Sequence, residues 1–262
     1  MTTASRREFL KIAGAGCAGG AALATAADPV VGMIFPPANY PVPPEAQQMY
    51  PRGVRFLAEG LGLERMTPEG YDKVIDRIIP AAQKLAKEGA NAVSLMGTSL
   101  SFYKGAAFNQ QLADSIRKAT GLPSTTMSTA IVEGLKAVGG RRVAVATAYN
   151  DVVNQRLEVF LKESGFEVLG VKGLGIERFE DSPPVTQEGL LKFSASVYES
   201  MPKADSLLSS CGALKTLELL VPLEKRCKVP VVSSAPHALW ASVRLVGLSG
   251  QAKGFGSLLA KG

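Results

Sequence analysis

The sequence predicts an α/β fold built from two similar halves, each with a parallel sheet of the Rossmann or flavodoxin type. Short apolar runs alternate with amphipathic helical segments, and strands separated by helices form right-handed βαβ units. The spacing of the residues that follow predicted strands also repeats. Pro36 and Gly97, each after a strand of the first half, are 61 residues apart (97 − 36). Tyr149 and Cys211, each after a strand of the second half, are 62 residues apart (211 − 149). We therefore expect halves related by pseudo-two-fold symmetry, with the active site in the cleft between them. A single doubly wound sheet is the alternative.

The first half is defined by apolar runs and by the residues that interrupt them. Thr67-Pro68-Glu69 is a strong helix start, since it offers a capping hydroxyl, a proline in the first turn and then an acid. The proline-rich segment from Pro36 to Pro51 is predicted to be a loop. We predict strands at Val30–Phe35, at Ala92–Met96 and just after Pro123, and helices at Thr67–Glu88, Tyr103–Ala119 and Thr129–Val138.

The second half repeats the alternation, with an irregular stretch at Gly173–Pro184. Its predicted strands are Arg142–Thr147, Phe166–Val171, Ser206–Ser209 and Val229–Ser233. Its predicted helices are Asp151–Ser164, Thr186–Met201 and Leu214–Lys225, followed by Pro236–Val246. We place the first half at residues 28–138 plus 235–262 and the second half at residues 139–234.

Residues 1–26 have the pattern of an export signal. Arg6-Arg7 precedes a mildly apolar, Gly/Ala-rich stretch, and Ala24-Thr25-Ala26 offers small residues for cleavage. The pattern resembles a twin-arginine signal; a tail with a chance arginine pair is the alternative. We expect passage through the twin-arginine translocase to the periplasm and removal of residues 1–26. No later apolar run approaches the roughly 20 residues of a membrane span, so no stable membrane anchor is expected.

Composition restricts the classes of ligand. The chain has 262 residues, is 46% hydrophobic and carries a formal net charge of +6. Its basic residues form no run, so we expect no nucleic-acid partner and instead a small anionic molecule. No histidine, cysteine and aspartate cluster has zinc-site spacing, and no glycine-rich phosphate loop is present. The sequence therefore predicts neither a metal nor an organic cofactor.

Cys211 is the strongest candidate for a reactive side chain. It follows the apolar residues Leu207 and Leu208, at the carboxyl end of a predicted strand, which is where parallel sheets present reactive groups. We expect its thiol to be partly exposed and close to a helix N-terminus. Cys227 lies at the other end of the next predicted helix, which places it about 20 Å away and beyond the roughly 7 Å between Cα atoms that a disulfide allows.

Several segments resemble the arylmalonate decarboxylases, a family within the aspartate/glutamate racemase superfamily. The resemblance implies a carboxy-lyase that needs no cofactor and converts a 2-substituted malonate, here an arylmalonate, into a monocarboxylate. It covers nearly all of the chain after residue 26. The segments that carry it are Met96–Tyr103, Leu208–Gly212, Gly32–Ile34, Pro36-Pro37, Thr67–Tyr71 and Ala146–Tyr149.

The resemblance also implies roles for individual residues. Cys211 would be the general acid that protonates the carbanion left after loss of CO₂. Thr98, Ser99, Tyr149 and Gly212 would hold the retained carboxylate, and the departing carboxylate would lie in an apolar pocket. The implied substrate-pocket residues are Pro36, Leu63, Met66, Tyr71, Met96, Gly97 and Phe179.

Gly97 separates this chain from other members of the superfamily. Relatives that racemise amino acids use two cysteines, one from each half, and Gly97 stands at the matching position of the first half. A single thiol delivers a proton to one face only, which suits a reaction that makes its carbanion without removing a proton. Two alternatives stay open: a maleate cis-trans isomerase or Asp/Glu-type racemase, and a non-catalytic periplasmic solute-binding protein.

Overall fold

Two parallel four-stranded sheets form the centre of the protein. The computed structural model describes residues 27–178 and 185–262. The first sheet contains β1 (Val30–Phe35), β2 (Arg55–Gly60), β3 (Ala92–Leu95) and β4 (Ser124–Thr126), in the spatial order β2-β1-β3-β4. The second contains β5 (Arg142–Thr147), β6 (Glu167–Gly173), β7 (Ser206–Ser210) and β8 (Val231–Ser233), in the order β6-β5-β7-β8. The identical order confirms the predicted pair of similar halves, and the single-sheet alternative is wrong.

Ten helices connect and cover these strands in the described part of the chain. Three of them begin at side-chain caps: Thr126, Asn150 and Thr186 each accept a hydrogen bond from the backbone N–H three residues on. The helices are α1 (Pro44–Met49), α2 (Pro68–Asp72), α3 (Ile78–Lys87), α4 (Thr98–Phe102), α5 (Ala106–Thr120), α6 (Met127–Ala137), α7 (Asp151–Glu163), α8 (Gln187–Glu199), α9 (Leu220–Cys227) and α10 (Ser234–Arg244).

Proline and glycine change the bounds of three segments that we predicted as continuous helices. The segment Thr67–Glu88 breaks after α2 and resumes at α3, which places Pro80 in the first turn, where no backbone N–H is needed. Pro222 has the same position in α9, which begins at Leu220 after a short 3₁₀ turn. Gly105, with a φ of 90°, separates α4 from α5.

The proline-rich segment before Pro51 is not wholly a loop, because it contains α1. The strand that follows it, β2, was also missed. β2 is the edge strand of its sheet and none of its residues is fully buried, so its sequence lacks the apolar run of a central strand.

A continuous apolar core joins the two halves. Residues of both sheets and of the helices between them belong to one cluster of buried side chains. α10 leaves the second sheet at β8 and packs against α6 of the first half. The boundaries at residues 138/139 and 234/235 stay a prediction. Among the described residues, no helix combines the length and the hydropathy that a membrane crossing requires.

Candidate active site

The carboxyl ends of the four central strands meet at one cleft between the halves. It is lined by the residues that follow β1, β3, β5 and β7, together with Tyr40 and Met66. The cleft contains about 360 Å³ of empty space, part of it open to solvent. This position at strand ends, between two similar sheets, is where ligands bind in parallel α/β proteins.

Nine of the twelve predicted site residues line this cleft, and their roles stay predictions. Leu63 and Tyr71 are buried but do not line it. Leu63 instead donates its N–H to the carbonyl of Pro36 at 2.7 Å and so supports the cleft wall. Phe179 lies outside the described residues. The nine are Pro36, Met66, Met96, Gly97, Thr98, Ser99, Tyr149, Cys211 and Gly212.

The expectation of a partly exposed thiol is wrong, although Cys211 does lie close to the first residue of α10. Cys211 is only 3% exposed, because it lies between the two halves, and an irregular turn separates it from the 3₁₀ segment that begins at Leu217. Its backbone N–H donates to the Ser234 hydroxyl at 3.1 Å, and its φ is 153°, a region that residues with side chains rarely occupy. The second half therefore fixes the backbone of Cys211 firmly.

Burial also sets the protonation state of Cys211. Loss of solvation raises the pKa of its thiol to about 11, although the N–H groups of Ala213 and Leu214 and the hydroxyl of Tyr149 act in the opposite direction. The side chain is consequently a neutral thiol at neutral pH. Because a thiol and not a thiolate is present, Cys211 is suited to donate a proton and not to act as a resting nucleophile. Cys227 is likewise a free, buried cysteine.

Two tyrosines near Cys211, Tyr71 and Tyr149, have buried hydroxyls without a hydrogen-bond partner among the described residues. Tyr149 is 1% exposed and Tyr71 is fully buried. Thr98, Ser210 and Cys211 lie close to the Tyr149 hydroxyl and influence its pKa, but no described side chain meets the distance and angle of a full hydrogen bond to it. Burial raises the pKa of both tyrosines far above the usual range, so both keep their protons. Both hydroxyls are therefore free to donate to an anion bound beside them.

Met127 is a site neighbour that the sequence analysis missed. Its sulfur accepts a hydrogen bond from the Thr98 hydroxyl at 2.8 Å. A thioether is a weak acceptor, so this hydroxyl can turn to a carboxylate at low cost. A Cβ added to Gly212 would lie 3.1 Å from the same sulfur, so a larger residue at this position would crowd Met127. Its position in the sequence could have identified it, because Met127 directly follows strand β4.

Gly97 lines the cleft just after β3. A Cβ added to Gly97 would lie 2.7 Å from Cγ of Pro36 and 3.2 Å from Cβ of Leu100, so the space beside it is already filled. The ionisable side chains of the described lining are Tyr40, Tyr149 and Cys211. Among the residues that the structure describes, the cleft lining therefore has a single thiol and no carboxylate or histidine.

Comparison with known proteins agrees with this geometry. The sequence profile of the arylmalonate decarboxylase family matches residues 31–259. The chain is also 49% identical over 234 residues to the arylmalonate decarboxylase of Bordetella bronchiseptica, an alignment covering 89% of this chain and 97% of that protein.

The chain belongs to the arylmalonate decarboxylase family. This confirms the resemblance drawn from the sequence and, with it, the predicted enzyme class, a carboxy-lyase.

Solved structures of the family share the fold throughout. A liganded arylmalonate decarboxylase variant, with one glycine replaced by cysteine and one cysteine by serine, is 48% identical, with a TM-score of 0.87 over 89% of this chain and all of that one. The unliganded decarboxylase gives a TM-score of 0.82 at 48% identity over the same shares. The maleate isomerase Iso of Pseudomonas putida S16 also gives 0.82, over 88% of this chain and 98% of that one, but at 21% identity it shows a common fold only.

We predict that Cys211 is alkylated slowly by iodoacetamide and ever faster as pH rises. Alkylation needs the thiolate, and a pKa of about 11 keeps the thiolate fraction growing about tenfold per pH unit from pH 7 to pH 10. The measurement is peptide mass spectrometry of the protein after timed labelling at several pH values. A plateau in the rate at or below pH 8 would contradict the assigned protonation state.

Proposed function

We propose that this enzyme decarboxylates a 2-substituted arylmalonate to a monocarboxylate through an enediolate that Cys211 protonates. The observation that carries the proposal is the pairing of a buried, protonated thiol with the unpartnered hydroxyl of Tyr149 in one cleft. Membership of the family supplies the reaction class. The residues of the cleft can perform each step without a metal or an organic cofactor.

Hydrogen-bond donors converge where the retained carboxylate would lie. Tyr149 offers a hydroxyl that has no other partner, and Thr98 offers one held only by sulfur. The backbone N–H groups of Thr98 and Ser99 belong to the first turn of α4 and have no carbonyl within that helix. As CO₂ leaves, charge grows on the two carboxylate oxygens, and a fixed donor at such a position is worth about 3 kcal/mol in barrier height.

The departing carboxylate would lie against an apolar wall. Pro36, Met66 and Met96 line this part of the cleft, and none of them can hydrogen-bond an anion. A carboxylate that is poorly solvated there is favoured to lose its charge by leaving as CO₂. The cleft thus treats two chemically equal carboxylates differently, holding one and expelling the other.

Proton transfer from Cys211 completes the reaction. The bond from the α-carbon to the departing carboxylate breaks, and its electron pair stays on the α-carbon and spreads into the retained carboxylate. The α-carbon then takes the proton of the Cys211 thiol. The thiolate left behind is a strong base in this buried setting, since its pKa is about 11, and it regains a proton from water after the product leaves.

Both alternative functions fit this cleft less well. An isomerase or racemase of the two-cysteine type needs an acid/base group on each face of the substrate, and Gly97 provides none. A solute-binding protein has no use for a buried thiol at the meeting point of four strand ends, on a residue whose backbone N–H donates to Ser234.

We further propose that the enzyme is exported by the twin-arginine translocase and acts in the periplasm. The support is the sequence pattern of residues 1–26, which lie outside the described residues. This route carries proteins that are already folded, and burial of Cys211 and Cys227 would then shelter both thiols from an oxidising compartment.

The direct test of activity uses phenylmalonate and maleate, each incubated with the mature protein in D₂O and followed by NMR. We expect monodeuterated phenylacetate and CO₂ from phenylmalonate and no change in maleate. Cys211→Ser should lower kcat by about 100-fold or more, because a hydroxyl is a much weaker acid than a thiol. Near-normal turnover by a folded Cys211→Ser protein would show that the proton donor has been misassigned.

The anion-binding role of Tyr149 is tested by removing its hydroxyl alone. Tyr149→Phe should lower kcat for phenylmalonate by about 100-fold, because a donor to the enediolate is lost. Tyr50→Phe is the matched control. Its buried hydroxyl donates to the carbonyl of Gly250 at 2.7 Å, away from the cleft, so this change should cost stability and leave kcat within about twofold. Equal effects of the two variants on kcat would remove Tyr149 from the site.

Export is tested by fractionating cells that produce the full chain. We expect the native chain in the periplasm with a mass that lacks residues 1–26. Replacing both Arg6 and Arg7 by lysine should retain the full-length protein in the cytoplasm, whereas Lys11→Arg, a replacement of one base by another, should leave export unchanged. Full-length native protein found only in the cytoplasm would refute the proposal.

A further inference from the structure

Ser234 is a buried serine whose hydroxyl is bonded to the backbone of the reactive cysteine. It is the first residue of α10 and is fully buried. In the described part of the chain its hydroxyl has two partners. It accepts the backbone N–H of Cys211 at 3.1 Å, and it lies 3.4 Å from the hydroxyl of Ser210, where either oxygen can be the donor. Ser234 therefore ties the start of α10 to the end of β7, where the thiol is carried.

Helix capping does not account for this serine. A serine at the start of a helix commonly accepts an N–H group of the first turn. α10 begins without such a bond, because Ser233 at the N-cap makes no side-chain cap and its hydroxyl has no partner among the described residues. The Ser234 hydroxyl points to β7 instead. It is bonded to Cys211 and Ser210 and not to its own helix.

Cys211 has a backbone conformation that needs such an anchor. Residues with a side chain rarely adopt a φ of 153°, and they keep it only where the surrounding structure enforces it. A hydrogen bond to the N–H of Cys211 fixes the peptide plane about which φ turns. It thereby fixes the direction of the bond from Cα to Cβ, which carries the sulfur. Ser234 supplies this hydrogen bond.

α10 also relates the thiol to the other half of the protein. The helix packs against α6, β3 and β4 of the first half. β3 leads through Gly97 into Thr98 and Ser99, the proposed donors to the retained carboxylate. One helix thus contacts the strand that carries these donors and, through Ser234, the residue that carries the acid.

We propose that Ser234 is the positioning residue for proton delivery, holding Cys211 in its strained conformation so that the thiol faces one side of the carbanion. The inference rests on the proposed decarboxylase function. It concerns a residue that is absent from the described lining of the cleft and so acts through Cys211. Loss of the Ser234 hydroxyl should therefore slow proton delivery and leave binding of the carboxylate unchanged.

The kinetic test compares Ser234→Ala with Ser242→Ala. Ser242 is equally buried, near the other end of α10, and its hydroxyl donates to the carbonyl of Ala238 at 2.6 Å. Ser234→Ala should lower kcat for phenylmalonate by about tenfold, as expected for one lost hydrogen bond, and leave KM within about twofold. Ser242→Ala should leave both within about twofold.

Product handedness distinguishes positioning from a structural role. With 2-methyl-2-phenylmalonate, Ser234→Ala should raise the share of the minor enantiomer of 2-phenylpropionate about tenfold, because water then competes with a misplaced thiol. Ser242→Ala should give the native composition. A native composition from folded Ser234→Ala, or the same change in both variants, would overturn the proposal.

A labelling measurement separates this inference from the proposed reaction, since it needs no substrate. It follows alkylation of Cys211 by iodoacetamide at pH 9 with peptide mass spectrometry. Ser234→Ala should react about tenfold faster than native protein, because a Cys211 that leaves its enforced conformation is less buried and has a larger thiolate fraction. This result would support the inference even if no malonate were decarboxylated. A native labelling rate would refute it even if phenylmalonate were turned over.

A second variant applies if Ser234→Ala does not fold. Glycine adopts a φ of 153° without an anchor, so adding Cys211→Gly should restore folding to Ser234→Ala, as followed by circular dichroism and thermal melting. Restored folding would support the claim that Ser234 enforces this conformation. A double variant that stays unfolded while Cys211→Gly alone folds would overturn it.

Discussion

Desolvation of the Cys211 thiol is the constraint on which the rest of the site depends. A thiol that is 3% exposed, with a pKa raised to about 11, is an acid that keeps its proton until a stronger base forms beside it. The carbanion left by loss of CO₂ is such a base. Two parallel sheets are needed to bury the thiol in this way, because their strand ends close on Cys211 from both halves while leaving a cleft for the substrate.

A maleate isomerase shares this fold, so the fold alone does not set the chemistry. A side chain at Gly97 would require Pro36 to shift, because an added Cβ would lie 2.7 Å from its ring. Decarboxylation creates its carbanion by bond cleavage and needs no base. In the proposed mechanism, discrimination between two carboxylates, one held by donors and one left unsolvated, takes the place of a second proton-transfer group.

Central strands and strand-end residues were predictable from the sequence, because a buried parallel strand is a short apolar run and its last residues project into the cleft. The edge strand β2 was not, since its residues are only partly buried. Helix boundaries failed at Pro80 and Pro222, where a proline suits a first turn but not an interior position. Tyr40 and Met127 reach the cleft region through packing between separate segments, which no local pattern records.

The most direct measurement of the central claim is the enantiomeric composition of 2-phenylpropionate made from 2-methyl-2-phenylmalonate. The carbanion from this substrate is planar, and the face that receives the proton decides the hand of the product. If a single fixed thiol is the donor, the product is one enantiomer in large excess. A racemic product would mean that water or a second group protonates the carbanion, and the account of Cys211 given above would be contradicted.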